Sequence, residues 1–234
     1  KLSHLTPGIT LQQACGTSLQ GALTLAAKIA CGQIESGIAA GTDTTSDAPI
    51  VFGDKFAHRM INLSQARSGK QKLGALKGFS PGELKPVSPT NGEMRTGLSM
   101  GQHCERMAQE WDIKREDQDQ LAYESHQKAD AAYEDGFFDE LIIPWGGISR
   151  DNNLRADTTI EKLSTLRTVF DKSSKATLSA GNSTSLTDRA AAVLLCSEEW
   201  AAERNLPVQA FLTTGRSAAV DFVNDEGLLM APTV

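Results

Sequence analysis

Residues 13–22 read QACGTSLQGA, and the elements predicted on either side of this stretch decide the fold. The preceding residues, 8–14, are partly β-branched and alternate in polarity, which predicts a short strand. Residues 16–32 carry apolar side chains at helical spacing and end in a glycine suited to a C-terminal cap. Residues 36–41 predict a second buried strand. A strand, a sharp turn at Cys15, a helix and a strand together favour a parallel sheet.

Cys15 lies where this predicted turn enters the helix. The first backbone N–H groups of a helix carry a partial positive charge, which favours a thiolate over a thiol. Gly16 permits a tight turn and the close approach of a substrate carbonyl, while Thr17 and Ser18 can cap free N–H groups. The arrangement suits acyl transfer, in which the sulfur attacks a carbonyl and holds the acyl group. The alternative is that Cys15 is a small buried hydrophobe, as many free cysteines are.

The other three cysteines lack this position. Cys31 lies at the far end of the same helix, where the dipole opposes a thiolate, and Cys196 lies in an apolar run typical of a strand. We expect both to be packing residues, and we favour a structural role for Cys104 on its amphipathic helix. The four cysteines lie far apart without CxxC spacing, which predicts reduced thiols and no metal site.

The composition argues against two classes of partner. The 234 residues carry a formal net charge of -6 and contain no long run of Lys or Arg, so nucleic acid is not expected as a partner. No uninterrupted apolar run approaches the roughly 18 to 20 residues that a membrane span requires, so we expect no span.

The composition changes after about residue 42. Residues 42–97 are rich in Gly, Pro, Ser and Lys with weak periodicity, which is typical of a long excursion from a sheet. Two helices are predicted next, at residues 100–111 and 115–135. Strand-like runs then return at residues 177–180, 190–196 and 208–220. The sequence therefore predicts a sheet domain that is interrupted by an insertion and then resumed.

Four stretches, in this order, resemble the thiolase family. They are residues 13–22 with IAAGTD at 38–43; GLSMG at 97–101 with ERMA at 105–108; DIKREDQD at 112–119 with SHQKA at 125–129; and LRTVF at 166–170 with SAGNSTSLTD at 179–188. The match spans essentially the whole chain, and four ordered motifs are far more specific than one. With DNNLR at residues 151–155, the chain is most similar to the 3-ketoacyl-CoA thiolases of fatty-acid degradation, including the β subunits of the trifunctional complex.

The resemblance implies an α/β, thiolase-like layered α-β-α fold, incomplete in this chain. Its sheet would be mixed and mostly parallel, with an inserted, mainly helical loop domain. Residues 1–45 and 176–202 would form part of the N-terminal sheet domain, and residues 46–175 the loop domain that binds coenzyme A. Residues 203–234 would be the truncated start of the C-terminal domain, because both ends read as cuts in a longer protein.

The resemblance also implies an activity and a site. Cys15 would accept the acyl group of a 3-ketoacyl-CoA and pass it to free coenzyme A, with release of acetyl-CoA. Ser99 and Met100 would flank the pantetheine channel, and Arg155 would lie near the adenine and phosphates. The opposite wall would consist of Ser183, Thr184 and Ser185. Coenzyme A would be a substrate, with no tightly bound cofactor and no metal.

Each of these residues has an ordinary alternative role. Met100 at a helix start is equally a core residue, and the less favoured alternative for Arg155 is a solvated loop charge. The three hydroxyl residues at 183–185 are also common in turns.

Two positions depart from the family pattern. Arg189 stands where the family has Gly, so a long cation occupies a place where chains normally approach closely. Ser99 stands where many biosynthetic members have His, which favours the degradative branch.

The 234 residues contain neither the Gly-His-Pro nor the Cys-x-Gly motif that supplies the family's activating histidine and second cysteine. We therefore expect little turnover from this polypeptide alone and full turnover from the complete protein.

Two alternatives remain: a non-catalytic acyl-CoA or lipid-binding homologue, and a ketoacyl-synthase-like condensing enzyme, against which residues 97–101 favour a thiolase. Family members are generally dimers or tetramers, so a homo-oligomer is implied, or a complex with a β-oxidation α subunit. The implied location is bacterial cytoplasm or mitochondrial matrix.

Overall fold

The computed structural model describes residues 2–88, 92–224 and 227–233. They divide into two compact units. The first consists of Lys1–Ala48 and Leu186–Ser217, and the second of Pro49–Ser185 and Ala218–Val234. Over the described ranges, no helix combines the length and apolarity that a membrane span requires.

The described residues form helices and short strands in both units. The α-helices are α1 (Thr17–Ala30), α2 (Asp54–Gln65), α3 (Gly69–Leu76), α4 (Met100–Glu110), α5 (Arg115–Glu134), α6 (Ile160–Ser164) and α7 (Glu198–Glu203). The strands are β1 (Ser36–Asp43), β2 (Val51–Phe52), β3 (Pro86–Val87) and β4 (Arg189–Cys196), and 3₁₀ helices lie at Pro81–Leu84 and Ala231–Thr233.

The first unit is built on the packing of α1 against β1. Gly37, Ala39 and Gly41 alternate along β1 and therefore share one face of the strand. A methyl group on Gly37 would lie 2.8 Å from a Leu25 methyl carbon, and one on Gly41 would overlap the Ser18 hydroxyl oxygen. Because glycines occupy both contact points, the strand lies directly against the helix. Ala39 between them is only 6% exposed.

The strand β4 is the partner of β1. The two pair in antiparallel register, with Ser36 opposite Cys196 and Asp43 opposite Arg189. Ile38 and Leu194 lie opposite each other and are about half exposed, at 46% and 48%. The apolar sequence of β4 is thus only partly covered by the described residues.

The second unit begins with α2, α3 and the 3₁₀ helix, which Arg59 ties together. Its guanidinium donates to both carboxylate oxygens of Glu83 at 2.9 and 3.0 Å and to the carbonyl oxygen of Lys77 at 3.0 Å. The hydrogen bonds from Arg59 lower the pKa of the Glu83 carboxyl, and the Glu83 carboxylate raises the pKa of Arg59. Helices α2 and α3 were not predicted, because the Gly, Pro, Ser and Lys content of residues 42–97 is typical of a loop and the contacts of Arg59 join residues far apart in the chain.

Several predicted elements are confirmed. The helices expected at residues 100–111 and 115–135 are α4 and α5. The strand runs at residues 36–41 and 190–196 are β1 and β4. Ser197 accepts a hydrogen bond from the Trp200 N–H at 3.1 Å and caps α7, as its position before two glutamates predicts.

Three predicted strands were wrong, and in two of them side chains satisfy backbone N–H groups. Residues 8–14, 177–180 and 208–220 form no strand. In the first, the Gln13 N–H donates to the Thr17 hydroxyl, and in the second a carboxylate of α4 accepts from two backbone N–H groups. The expected parallel pairing is also not found: both sheets of the described residues are antiparallel.

Replacing Gly41 by alanine is expected to lower the free energy of unfolding by about 1–3 kcal/mol, because the added methyl group would overlap the Ser18 hydroxyl. Urea unfolding measures the change. The double variant Ser18→Ala, Gly41→Ala should recover most of the loss, since the overlapping oxygen is removed. Gly8→Ala is the control, because nothing lies within 4 Å of its added methyl group. An unchanged unfolding free energy in Gly41→Ala would contradict the described packing.

Candidate active site

Cys15 lies in a tight turn directly before α1. Ala14 has a φ of 45°, a conformation that residues other than glycine rarely adopt. The Gly16 N–H donates to the Gln13 carbonyl oxygen at 3.0 Å and closes the turn. Cys15 is exposed, so the alternative of a small buried hydrophobe does not fit. Its position before the helix start places it where an attacking sulfur would be accessible.

Thr17 holds the turn rather than the helix end. Its hydroxyl oxygen accepts from the Gln13 N–H at 2.9 Å and lies 2.7 Å from the Ala14 carbonyl oxygen and 2.9 Å from Gln12 Oε1. Gly16 is the N-cap residue, and α1 has no side-chain cap. The capping role expected of Thr17 and Ser18 was therefore wrong. The uncapped end of α1 remains next to Cys15.

The other cysteines occupy different environments. Cys31 is exposed, so the packing role expected for it was wrong, whereas Cys104 and Cys196 are half-buried. Burial raises the pKa of the Cys104 thiol, and the charge of the neighbouring Glu105 raises it further. A raised pKa favours the thiol over the more reactive thiolate, which agrees with a structural role for Cys104.

In the second unit, Ser99 and Met100 form the start of α4. The Ser99 hydroxyl accepts from the Gln102 N–H at 3.3 Å, and the Gln102 side chain accepts from the Ser99 N–H at 2.9 Å, which makes a capping box. Met100 is the first helical residue and is exposed. A methyl group on Gly101 would overlap the Phe170 ring, so the ring lies directly against this end of the helix.

A second glycine contact brings in residues 179–188. A methyl group on Gly181 would overlap a Leu166 methyl carbon and lie 2.7 Å from one of Leu163. The contacts of Gly101 and Gly181 thus bring residues 97–101, 163–170 and 179–182 together in one unit. Of the residues that follow, Ser183 is half-buried, and Thr184 and Ser185 are exposed.

Arg155 lies in a loop that contacts Ser185. The Ser185 hydroxyl donates to Asn153 Oδ1 at 2.9 Å. The Arg155 guanidinium donates to the carbonyl oxygens of Asn152 and Leu154 at 2.7 and 2.9 Å, and its backbone N–H donates to His126 Nδ1 at 3.3 Å. Its cation is therefore held on its own exposed loop, beside the residues predicted to line the channel.

Asp188 joins β4 to the end of β1. Its carboxylate accepts from the Thr45 N–H at 2.7 Å, from the Ser46 N–H at 3.0 Å and from the Ser46 hydroxyl. These donors, the Ser46 hydroxyl first, lower the pKa of Asp188 to about 2. Arg189, the departure from the family pattern, opens β4 and is exposed, so solvent accommodates the long side chain.

Sequence reasoning missed two buried carboxylates in the second unit. Glu105 on α4 is 2% exposed, and Asp119 on α5 is 1% exposed. Both lie in quoted motifs, and each is followed three residues later by an alanine on the same helical face. The i,i+4 spacing of Arg115 and Asp119 is a local signal that could have identified the second acid, whereas the partners of Glu105 at Thr177 and Leu178 lie far along the chain.

A family model of the thiolase N-terminal domain matches residues 1–199. The chain belongs to the thiolase family. A 3-ketoacyl-CoA thiolase of Pectobacterium atrosepticum is 39% identical over 237 residues, which cover 99% of this chain and 54% of the relative. One of Shewanella sediminis is 39% identical over 234 residues, covering 97% and 53%. This thiolase chain spans about half the length of the curated relatives it matches.

Solved thiolase structures share its fold. Human mitochondrial 3-ketoacyl-CoA thiolase in complex with CoA superposes with a TM-score of 0.65 at 25% identity, covering 82% of this chain and 45% of that one. Another structure of the same human enzyme gives a TM-score of 0.66. The α/β, thiolase-like fold expected from the sequence is confirmed. Among the described residues, no cluster of three His, Cys, Asp or Glu side chains is arranged to hold a metal.

Replacing Thr17 by valine is expected to speed hydrogen exchange at the Gln13 amide, because that amide loses its hydroxyl acceptor. Loss of the hydroxyl should also cost about 1 kcal/mol of stability. Amide exchange followed by mass spectrometry or NMR gives the first quantity. Thr24→Val is the matched control, since the Thr24 hydroxyl bonds back to Gln20 within α1 and away from the turn. Equal Gln13 exchange in both variants would contradict the role of Thr17.

Asp188 is expected to titrate with a pKa of about 2, well below the roughly 3.9 of an unfolded chain. Its contribution to stability is therefore complete above the unfolded value and is lost as the pH falls through the folded one. Carboxyl NMR titration measures this directly. Ser46→Ala should raise the pKa, because the largest stabilising donor is removed, whereas Ser64→Ala, in the second unit, should not. An ordinary pKa for Asp188 in the unaltered protein would contradict the hydrogen bonds described between its carboxylate and residues 45 and 46.

Proposed function

We propose that the protein containing this chain cleaves 3-ketoacyl-CoA with coenzyme A, through an acyl group carried on Cys15. The observation that carries the proposal is an exposed cysteine in a strained turn at the uncapped end of a helix, in a chain that belongs to the thiolase family. Relatives at 39% identity are named 3-ketoacyl-CoA thiolase. Because the chain spans about half their length, the activity is proposed for the whole protein.

The proposed chemistry has two steps at one sulfur. The Cys15 thiolate attacks the ketone carbon of the substrate, and the bond between that carbon and the α-carbon breaks. The released carbanion takes up a proton and leaves as acetyl-CoA. The thiol of a second coenzyme A then attacks the acyl-cysteine, which frees the sulfur and yields a shortened acyl-CoA. The groups that move these protons are not assigned to residues of this chain.

We also propose that the second unit holds coenzyme A. Its candidate contacts are Ser99, Met100, Arg155, Ser183, Thr184 and Ser185. The support is their proximity in the fold: glycine contacts bring the start of α4 near residues 179–182, and Ser185 hydrogen-bonds to the loop that carries Arg155. The human thiolase with a similar fold is in complex with CoA. Coenzyme A is proposed as a substrate rather than as a tightly bound cofactor.

The proposed domains follow the two units approximately. A loop domain at residues 46–175 is supported by the compact unit Pro49–Ser185, which extends further at its C-terminal side. Residues 203–234, proposed as the start of a C-terminal domain, are divided between the two units after Ser217.

We propose a homo-oligomer, dimer or tetramer, or a complex with a β-oxidation α subunit, in bacterial cytoplasm or mitochondrial matrix. The half-exposed apolar pair Ile38 and Leu194 supports an association that covers this sheet. The matched relatives include bacterial proteins and a human mitochondrial one.

The nucleophile is tested by a short pulse of 3-ketoacyl-CoA on the complete protein, followed by acid quench and peptide mass spectrometry. We expect the acyl mass on the Cys15 peptide, and we expect Cys15→Ser to lose both the label and thiolysis by at least about a thousandfold. Cys31→Ser is the matched control, because Cys31 is also exposed and lies at the other end of α1. Thiolysis that persists in Cys15→Ser, or an unlabelled Cys15 in the active protein, would overturn the proposal.

A further inference from the structure

Residues 177–182 of the second unit form no strand, and their backbone pairing is an isolated antiparallel bridge between Ser179 and Thr168, with the Val169 N–H donating to the Leu178 carbonyl oxygen at 3.0 Å. Ser179 is fully buried and Leu178 is 6% exposed. Backbone N–H groups removed from water need acceptors, because an unsatisfied donor is costly in the interior. Two buried carboxylates that the proposed chemistry does not use satisfy these N–H groups. Glu105 accepts from them directly, and Asp119 acts through the side-chain amide of Asn182.

Glu105 supplies the acceptors at the first end of the segment. One carboxylate oxygen accepts from the Thr177 N–H at 2.8 Å and from the Thr177 hydroxyl at 2.9 Å. The other accepts from the Leu178 N–H at 2.9 Å. The side chain thus takes the place of the neighbouring strand that these N–H groups would otherwise bind. It fixes the segment against α4, the helix that begins with Ser99 and Met100.

Asp119 acts at the second end, through Asn182. Its carboxylate accepts from the Arg115 Nε–H at 2.7 Å and from the Asn182 amide at 2.9 Å. The Asn182 oxygen then accepts from the Ser179 N–H at 2.7 Å. Arg115 also donates to the Leu163 carbonyl oxygen at 2.7 Å, so the network extends to the residues that contact Gly181.

The segment held in this way leads directly into residues 183–185. We propose that Glu105 and Asp119 are positioning residues of the coenzyme A site, which hold the backbone from which Ser183, Thr184 and Ser185 project. This inference rests on the proposed function, because it assigns these three residues to the wall of the coenzyme A site. Glu105 and Asp119 act through the segment and touch neither substrate nor reacting atoms. They therefore determine binding of the coenzyme rather than the bond-breaking step.

The charge-neutral variants Glu105→Gln and Asp119→Asn test the proposal in the complete protein. In each, an amide N–H₂ replaces a carboxylate oxygen that accepts from a buried donor, so the segment should shift. We expect the KM for coenzyme A to rise about tenfold while kcat changes less than about threefold, since a loss of uniform binding raises KM alone. Glu110→Gln and Asp117→Asn are the matched controls, because these exposed acids lie on the same helices.

A reciprocal exchange separates positioning from general stability. Asn182→Asp alone should raise the KM, because two carboxylates then face each other. The double variant Asp119→Asn, Asn182→Asp restores a donor opposite an acceptor and should return the KM to within about threefold of the original. Thr177→Val removes the hydroxyl bond to Glu105 and the bond that the hydroxyl accepts from Gln118 Nε2, but it keeps both carboxylates. It gives a milder variant with an expected rise of about twofold to threefold.

The outcomes distinguish the two proposals. If Glu105→Gln and Asp119→Asn lower the melting temperature and leave the KM unchanged, the carboxylates are only structural and the inference is overturned. If they do not fold, the KM of Thr177→Val and of the reciprocal double variant decides in the same way. If Cys15 is acylated but the KM for coenzyme A does not respond to these substitutions, the proposed function stands and the positioning role of Glu105 and Asp119 is overturned. A complete protein that neither binds coenzyme A nor acylates Cys15 overturns both.

Discussion

Gly41 has no side chain at the point where β1 meets the first turn of α1, and this close approach sets the geometry of the first unit. With Gly37 it lets the strand lie against the helix, so that Ala39 is buried between them. The helix start is thereby fixed relative to the sheet. The turn that carries Cys15 immediately precedes this start, so its position follows from the same contact. Interiors are close-packed, and even one methyl group at such a contact must displace its neighbours.

The turn itself is maintained by local hydrogen bonds. Ala14 adopts a left-handed conformation that costs energy, and the surrounding bonds of Thr17 and Gln13 compensate for it. Strain of this kind persists only where the surroundings enforce it. In this chain it occurs next to an exposed cysteine at a helix end without a side-chain cap, the combination on which the proposed acyl-accepting role of Cys15 rests.

In the second unit, the segment that leads to the proposed coenzyme A site has no regular secondary structure. Residues 177–182 are held by side chains rather than by a ladder of backbone bonds, and the carboxylates of Glu105 and Asp119 are buried for this purpose. A buried carboxylate is expensive unless it is fully hydrogen-bonded, which explains why each has several donors. Glycines at 101 and 181 complete the arrangement, since each admits a bulky apolar side chain against the backbone.

Local patterns in the sequence determined α4, α5, β1, β4 and the place of Cys15 before a helix, because periodicity and capping act between near neighbours. The order of four motifs determined the family. Only the tertiary structure decided that β4 is the antiparallel partner of β1, that residues 177–180 form no strand, and that Thr17 binds the turn. It also decided which acids are buried: Glu105 meets Thr177, and Asp119 meets Asn182, across long stretches of chain. Such contacts contribute free energy only when the folded chain brings the two groups together, so no local pattern records them.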